Sequence, residues 1–296
     1  MKHFIVILTL IVLSLTACGG QPTSDSGKSA PVILTSTTFL ADIARNIAGD
    51  RMEVGSLLPI GTDPHSYQPT PQDVAKIEQS QLLIVNGADY EHFLEPLLEN
   101  TGGKRTIVEA SAGISLREEA GSVDPHLWLD PNNVILYVEN IRDGLVRFDP
   151  EGADAYRSNA DEYMRQLTEL DAWIVEQVNQ VPAERRLLVT NHEALGYFAK
   201  RYGFTVTGTM VESFSSDASP SAQQMAGLIN QIQSSGAPAI FLDAGDNTNL
   251  AQQIADETDV RVVTDLHLES LTDGAPAATY LDMMKHNVTQ IVNALK

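Results

Sequence analysis

Apolar positions along the chain fall into two blocks of short runs, separated by one long helical stripe. In the first block Pro31-Val-Ile-Leu-Thr-Ser-Thr-Thr, Met52 to Leu58, Leu82-Leu-Ile-Val-Asn and Thr106-Ile-Val-Glu read as buried strands. Thr70-Pro71-Gln72-Asp73 begins a helix, with a threonine cap, proline at the first helical position and an acid in the first turn. Asp130-Pro131 begins another by the same logic. In the second block Arg186-Leu-Leu-Val-Thr, Thr205-Val-Thr-Gly-Thr, Ala239-Ile-Phe-Leu-Asp and Val260-Arg-Val-Val are the strands, and Ser219-Pro220 and Asp246 to Asn249 read as helix entries. Between the blocks, Ala160, Tyr163, Leu167, Leu170, Ile174, Val178 and Val181 recur at spacings of three and four. Asp149-Pro150 marks the start and Pro182 the stop of a predicted helix of about 30 residues, spanning roughly 45 Å.

This alternation predicts an α/β fold of two lobes, each with a mostly parallel sheet flanked by helices, joined by one long rigid helix. The expected organisation is a lobe over 31–149, a linking helix over 150–182 and a second lobe over 183–296.

The first residues add a compartment. Lys2, the apolar run Phe4 to Leu15 and then Thr16-Ala17-Cys18 read as the charged region, hydrophobic region and cleavage site of a secretory signal, residues 1–17. The apolar run is shorter than the roughly 20 residues that span a bilayer. Leu15-Thr16-Ala17-Cys18 resembles a bacterial lipobox, which implies lipidation of Cys18 and an extracytoplasmic chain anchored to the cell membrane. Residues 18–30 carry nothing large enough for a core and read as a flexible tether. Cys18 is the sole cysteine, so no disulfide stabilises the exported part.

The formal charge is −20, and cleavage before Cys18 removes Lys2 and no acid, giving −20 − 1 = −21. A nucleic-acid partner is therefore not expected, since phosphate binding needs a basic face.

Candidate chemistry lies in histidines placed where the chain turns: Asp63-Pro64-His65, Asp124-Pro125-His126 and Asn191-His192, with a carboxylate at Glu269. Borderline divalent metals take this donor set. Proline fixes its own φ and holds the preceding residue extended, so both Asp-Pro-His loops are stiff. His65, His192 and Glu269 follow predicted strands, where parallel sheets present ligand loops, whereas His126 precedes a helix start. Asp265 and His267 share a face with Glu269 if that segment stays extended, and Asp243 ends a strand, so all three are alternatives for the carboxylate position. Asp63 and Asp124 read either as orienters of the imidazoles or as turn caps. His92 and His286 fall in helical surface patterns.

These motifs resemble those of the cluster A-I metal-binding lipoproteins, which deliver zinc or manganese to ABC importers. The first ligand motif matches Asp63-Pro64-His65-Ser66-Tyr67-Gln68-Pro69-Thr70-Pro71 and the second Asp124-Pro125-His126-Leu127-Trp128-Leu129-Asp130-Pro131. His192-Glu193-Ala194-Leu195-Gly196-Tyr197-Phe198-Ala199 matches the third. Glu269-Ser270-Leu271-Thr272, before Met283-Met284-Lys285, stands where the family usually has an aspartate. The resemblance implies a metal site of His65, His126, His192 and Glu269, and a permease with its ATPase as partners.

Three imidazoles and one carboxylate favour zinc over manganese, which prefers more oxygen. Affinity is expected to fall below about pH 6.5, where imidazoles protonate. Some zinc-binding members carry a histidine-rich loop between the first two motifs; residues 102–123 contain no histidine. Two other readings are a lipid-anchored adhesin and a zinc hydrolase. The second is disfavoured because four protein ligands close the site, and because Gly196 stands where a zincin motif has its second histidine.

Overall fold

The computed structural model describes residues 33–101, 105–119, 121–216 and 219–296. The signal segment, Cys18 and the tether lie outside the described residues.

The first lobe contains β1 (Ile33–Thr35), α1 (Thr38–Ala48), β2 (Val54–Ser56), α2 (Pro71–Gln79), β3 (Leu82–Val85), α3 (Leu94–Asn100) and β4 (Thr106–Glu109). A small antiparallel pair follows, β5 (Glu118–Glu119) and β6 (Ser122–Val123), and then α4 (Pro131–Phe148). After α5 (Ala153–Val178), the second lobe runs through β7 (Leu187–Thr190), α6 (Gly196–Tyr202), β8 (Thr205–Thr209), α7 (Ala222–Ser235), β9 (Ala239–Asp243), α8 (Thr248–Thr258), β10 (Arg261–Leu266) and α9 (Tyr280–Leu295).

Both four-stranded sheets are wholly parallel. Their orders are β2-β1-β3-β4 and β10-β9-β7-β8. Counted from each lobe's first strand, the two orders are the same, 2-1-3-4. Such a sheet reverses its winding beside the first strand, and loops at the carboxyl ends of the strands surround the crevice that opens there. The buried faces explain the unbroken apolar strands: all four residues of β3 are buried.

α5 is the strut between the lobes. Tyr156, Ala160, Tyr163, Leu167, Leu170, Ile174 and Val178 are its buried residues, and Val181, the last position of the stripe read from spacing, is buried beyond the helix end. Each fully buried large side chain contributes about 1.5–3 kcal/mol relative to exposure. The helix has 26 residues, about 39 Å, shorter than expected because Pro150 begins a separate 3-10 turn at 150–152 and the helix ends four residues before Pro182. α5 packs on α1, α4 and α9, so the strut is bedded in both lobes.

One helix entry differs in detail from the sequence reading, and the entry expected at Asp246 to Asn249 is found there. α7 starts after Ser221, whose Oγ accepts the Gln224 N–H at 3.3 Å while Gln224 Oε1 accepts the Ser221 N–H at 2.8 Å. This reciprocal box outweighs the Ser219-Pro220 signal two residues earlier. α8 is capped by Asn247, whose Oδ1 accepts the Asn249 N–H.

The segment 267–280 crosses back to the first lobe. Trp128 Nε1 donates to the Leu268 carbonyl at 2.7 Å, and Tyr280 O–H donates to the Trp128 carbonyl at 2.6 Å. The Leu271 N–H donates to Thr38 Oγ1, and the Tyr280 N–H to Asp42 Oδ2, both at 2.9 Å. Among the described residues no helix is long and apolar enough to cross a membrane.

Candidate metal centre

His65 leaves the loop between β2 and α2. Asp63 folds that loop by accepting the His65 N–H at 2.9 Å and the Ser66 hydroxyl at 3.0 Å. Further along, Asp73 Oδ2 accepts the Tyr67 hydroxyl, the Thr70 hydroxyl and the Thr70 N–H at 2.5–2.9 Å. Burial opposes ionisation of Asp73, yet these donors hold its carboxyl down at about 2.

His126 stands between β6 and the 3-10 turn that leads into α4. Its Nδ1 lies 2.9 Å from Asp124 Oδ1, and Asp124 Oδ2 accepts from Arg117 Nη1 at 2.9 Å. Tyr197 closes the arrangement, accepting the Arg117 N–H and donating to the Asp124 carbonyl. Gly196 makes room for it, because a Cβ there would overlap the Arg117 guanidinium and the Asp124 carboxylate. His192 follows β7, and the Thr190 hydroxyl donates to its carbonyl at 2.7 Å.

Glu269 follows β10, where the chain bends away from the sheet. Its Oε1 lies 3.2 Å from His65 Nε2, 3.3 Å from His126 Nε2 and 3.1 Å from His192 Nε2. The Nε2 atoms of His126 and His192 are 3.3 Å apart. The side chains are nearly sealed from solvent, at 6% exposure for His65, 0% for His126, 4% for His192 and 5% for Glu269. A tetrahedral ion with bonds of 2.0–2.1 Å places its donors about 3.3–3.4 Å apart, so these four atoms need little rearrangement to surround one.

Electrostatics fit the same use. Burial opposes charge on Glu269, but His65 beside it and hydrogen bonds from His126, His192 and His65 outweigh that and hold its carboxyl well below the ordinary range. Burial also opposes charge on His126, yet Asp124 and Glu269 raise it to about 9. The centre is thus a carboxylate ringed by imidazoles, a set whose protons a divalent cation would replace.

Tyr90, unnoticed in the sequence, donates its hydroxyl to Glu269 Oε2 at 2.8 Å. Burial first, and then the Glu269 charge, lift its pKa well above that of an ordinary phenol, so it stays a donor. Arg117 and Gly196 were likewise missed: none of the three belongs to a residue type or spacing that announces metal chemistry.

The alternatives for the carboxylate position lie elsewhere. Asp243 Oδ1 accepts the Leu268 N–H at 2.5 Å and so positions the segment carrying Glu269, with burial raising its carboxyl to about 8. Asp265 and His267 converge instead on His286. Extended geometry ends at Leu266, so Glu269 parts from the face those two share. His286 is half-buried rather than solvated, and His92 is exposed on the turn before α3 rather than in a helix. A cleft of about 1350 Å³ opens on His65, lined from both lobes by residues that include Asp89, Arg117, Glu193 and Phe214.

Two like α/β lobes closing on a buried donor cluster define a two-lobed binding protein. The chain belongs to the family described as zinc-uptake complex component A, periplasmic, which matches residues 33–294. The manganese-binding lipoprotein MntA of Halalkalibacterium halodurans is 35% identical over 297 residues, 99% of this chain and 98% of its own length. The manganese ABC transporter substrate-binding lipoprotein PsaA of Streptococcus anginosus is 30% identical over 306 residues, 98% of this chain and 97% of its own. The periplasmic zinc binding protein TroA of Treponema pallidum superposes with a TM-score of 0.83 at 29% identity, over 90% of this chain and 99% of its own. The resemblance read from the motifs is borne out, and the chain is a binding protein rather than an enzyme.

Proposed function

We propose that this protein captures a divalent transition metal outside the cytoplasm through His65, His126, His192 and Glu269, and delivers it to an ABC permease and its ATPase. The observation that carries the reading is the convergence of one carboxylate oxygen and three Nε2 atoms, from four separate loops, at 3.1–3.3 Å. Lobes of residues 31–149 and 183–296 flank the strut of 150–182, and lipid at Cys18 tethers the whole to the membrane.

Zinc is the favoured cargo. Tyr90 occupies Glu269 Oε2, which leaves Oε1 as a single carboxylate donor, and three imidazoles complete a tetrahedral set. Manganese is the second reading, favoured by the names of MntA and PsaA. It would call for Glu269 to bind through both oxygens, and so for Tyr90 to release Oε2. A metal bridging the lobes favours the closed arrangement by its difference in affinity between states.

The test is a competition in which purified protein is offered zinc and manganese together, with chelator titration, for the native chain and for Glu269→Ala and Tyr90→Phe. One tightly held zinc, weakened by Glu269→Ala, is the expected result. Retention of manganese over zinc would reverse the cargo, and absence of any stoichiometric metal would sink the proposal. The mass of the membrane-extracted protein checks the anchor, which requires loss of residues 1–17 and addition of lipid at Cys18.

A further inference from the structure

A second group of donors stands at the junction of β10 and α9. Asp265 lies near the end of β10, His267 just after it and His286 on α9, and one donor atom from each lies within 4.8 Å of the others. His286 Nε2 is 3.2 Å from Asp265 Oδ2 and His267 Nε2 is 3.7 Å from Asp265 Oδ1. The two imidazole rings are 5.4 Å apart.

The group is built rather than incidental. Asn287 clasps the His267 backbone on both sides, its Oδ1 accepting the N–H at 2.8 Å and its Nδ2 donating to the carbonyl at 2.7 Å. Gln290 Nε2 donates to Asp265 Oδ2 at 3.3 Å. His267 Nε2 is buried and has no hydrogen-bond partner among the described residues. A buried ring nitrogen costs free energy unless something satisfies it, and here it faces a carboxylate too distant to bond. A cation between the three side chains satisfies it directly. The Asp265 side chain is 57% exposed, so that position has access to solvent.

We propose that Asp265, His267 and His286 form a second metal site, open to solvent, for a borderline divalent cation of the zinc class. Two imidazoles and one carboxylate select borderline ions over calcium or magnesium. Three protein ligands leave a position for water, so this site exchanges faster than the four-ligand centre. His286 Nε2 also lies 2.7 Å from the Asp265 carbonyl. Binding moves the imidazole proton to Nδ1 and frees that carbonyl oxygen as an additional donor. Because Asp265 and His267 lie on the β10 side and His286 on α9, the ion pins together the two elements on either side of the Glu269 segment.

The test is equilibrium dialysis of the purified full-length protein against Zn²⁺ alone. The comparison set is His286→Gln, Asp265→Asn and the double variant His65→Ala with His126→Ala, each checked for fold by circular dichroism. The expected signature is one zinc equivalent that is lost in His286→Gln and in Asp265→Asn and kept in the double variant. The result does not depend on what the cleft binds, since the double variant removes that contribution. If no equivalent is lost in both single variants, or if the one they lose is also lost in the double variant, the proposal is overturned.

Discussion

Asp63-Pro64-His65 and Asp124-Pro125-His126 begin alike, for in each the aspartate accepts the backbone N–H of the histidine two residues on, at 2.9 and 3.1 Å. Beyond that shared turn they diverge. Asp124 also reaches the His126 ring at Nδ1, is held by Arg117, and lies with its histidine at 0% exposure. Asp63 spends its second oxygen on Ser66 and, across the cleft, on Ser216 of the second lobe at 2.7 Å. Its histidine sits at the mouth of the cleft. The same tripeptide thus sets a ring held by a carboxylate in one place and a ring that its aspartate does not touch in the other. The difference comes from what surrounds it: a fully buried carboxylate held by a guanidinium in one case, a nearly buried position bordering the cleft between the lobes in the other.

The sharpest way to break this contrast is to remove each imidazole. His126→Ala is expected to weaken zinc binding by more than about 100-fold, beyond the range of outer-shell changes, because no water reaches that position to replace the ligand. His65→Ala is expected to cost less, since water from the cleft can take its place. Chelator competition on both variants checks the order, and an equal or larger loss for His65→Ala would mean that burial does not distinguish the two loops.

Removing the orienters comes next in size. Asp124→Asn leaves the turn but weakens the partner of His126 Nδ1, and outer-shell partners of this kind are worth about 10–100-fold in metal affinity. Asp63→Asn touches no ring and is expected to change affinity by less than about 3-fold, an effect worth under about 1 kcal/mol. Equal effects from the two would mean that the Nδ1 bond orients nothing.

A pH series sharpens the contrast at His126 itself. In the metal-free protein its pKa is raised to about 9, above its ordinary value of 6.5, through Asp124 and Glu269 and against the effect of burial. A raised value contributes stability that is complete below about 6.5 and is lost as pH climbs through about 9. Glu269, depressed from 4.5, contributes stability that is complete above 4.5 and is lost as pH falls through its lowered value. Together these two groups contribute most to the stability of the metal-free protein between about pH 4.5 and 6.5, an expectation that Asp124→Asn should weaken in melting curves taken across that window. Zinc must displace the His126 proton, so affinity should keep rising to about pH 9 instead of levelling near 6.5, the value expected from free imidazole. Calorimetry in buffers of different ionisation enthalpy should register about one proton released per zinc at pH 7.5, and a smaller release in Asp124→Asn. Zero release would show that His126 is already neutral.

Much of this was legible in the sequence, for reasons that individual residues make plain. The apolar runs of the inner strands β3, β7 and β9 are buried as a parallel sheet requires, whereas the edge strands β4 and β10 are largely exposed, and the α5 stripe from Ala160 to Val178 is buried as its spacing requires. The donors were legible because His65 and His126 are marked by proline turns. Tyr90, Arg117 and Gly196 were not, since each acts through a partner far away in sequence: Tyr90 on Glu269 across 179 residues, and Tyr197, beside Gly196, on Arg117 across 80. The split between Glu269 and the pair Asp265 and His267 was equally hidden, because it rests on a bend after Leu266 that no local signal announces.

The last test bears on the Asp63 loop directly. The Ser216 hydroxyl donates to Asp63 from the second lobe, so it adds to closure without touching any metal ligand. A partly exposed hydrogen bond of this kind is worth about 0.5–1.5 kcal/mol, which converts to roughly 2- to 10-fold in the balance between open and closed forms. Ser216→Ala should therefore quicken zinc release by about that factor while the bound spectrum of a cobalt-substituted centre stays unchanged, because all four donors keep their places. Asp124→Asn should do the reverse, altering the cobalt spectrum through the His126 ring. Stopped-flow release into excess chelator reads the first effect and absorption reads the second. If Ser216→Ala changed the spectrum and left the rate alone, Asp63 would belong with Asp124 as a positioning group, and the distinction between the two loops would fail.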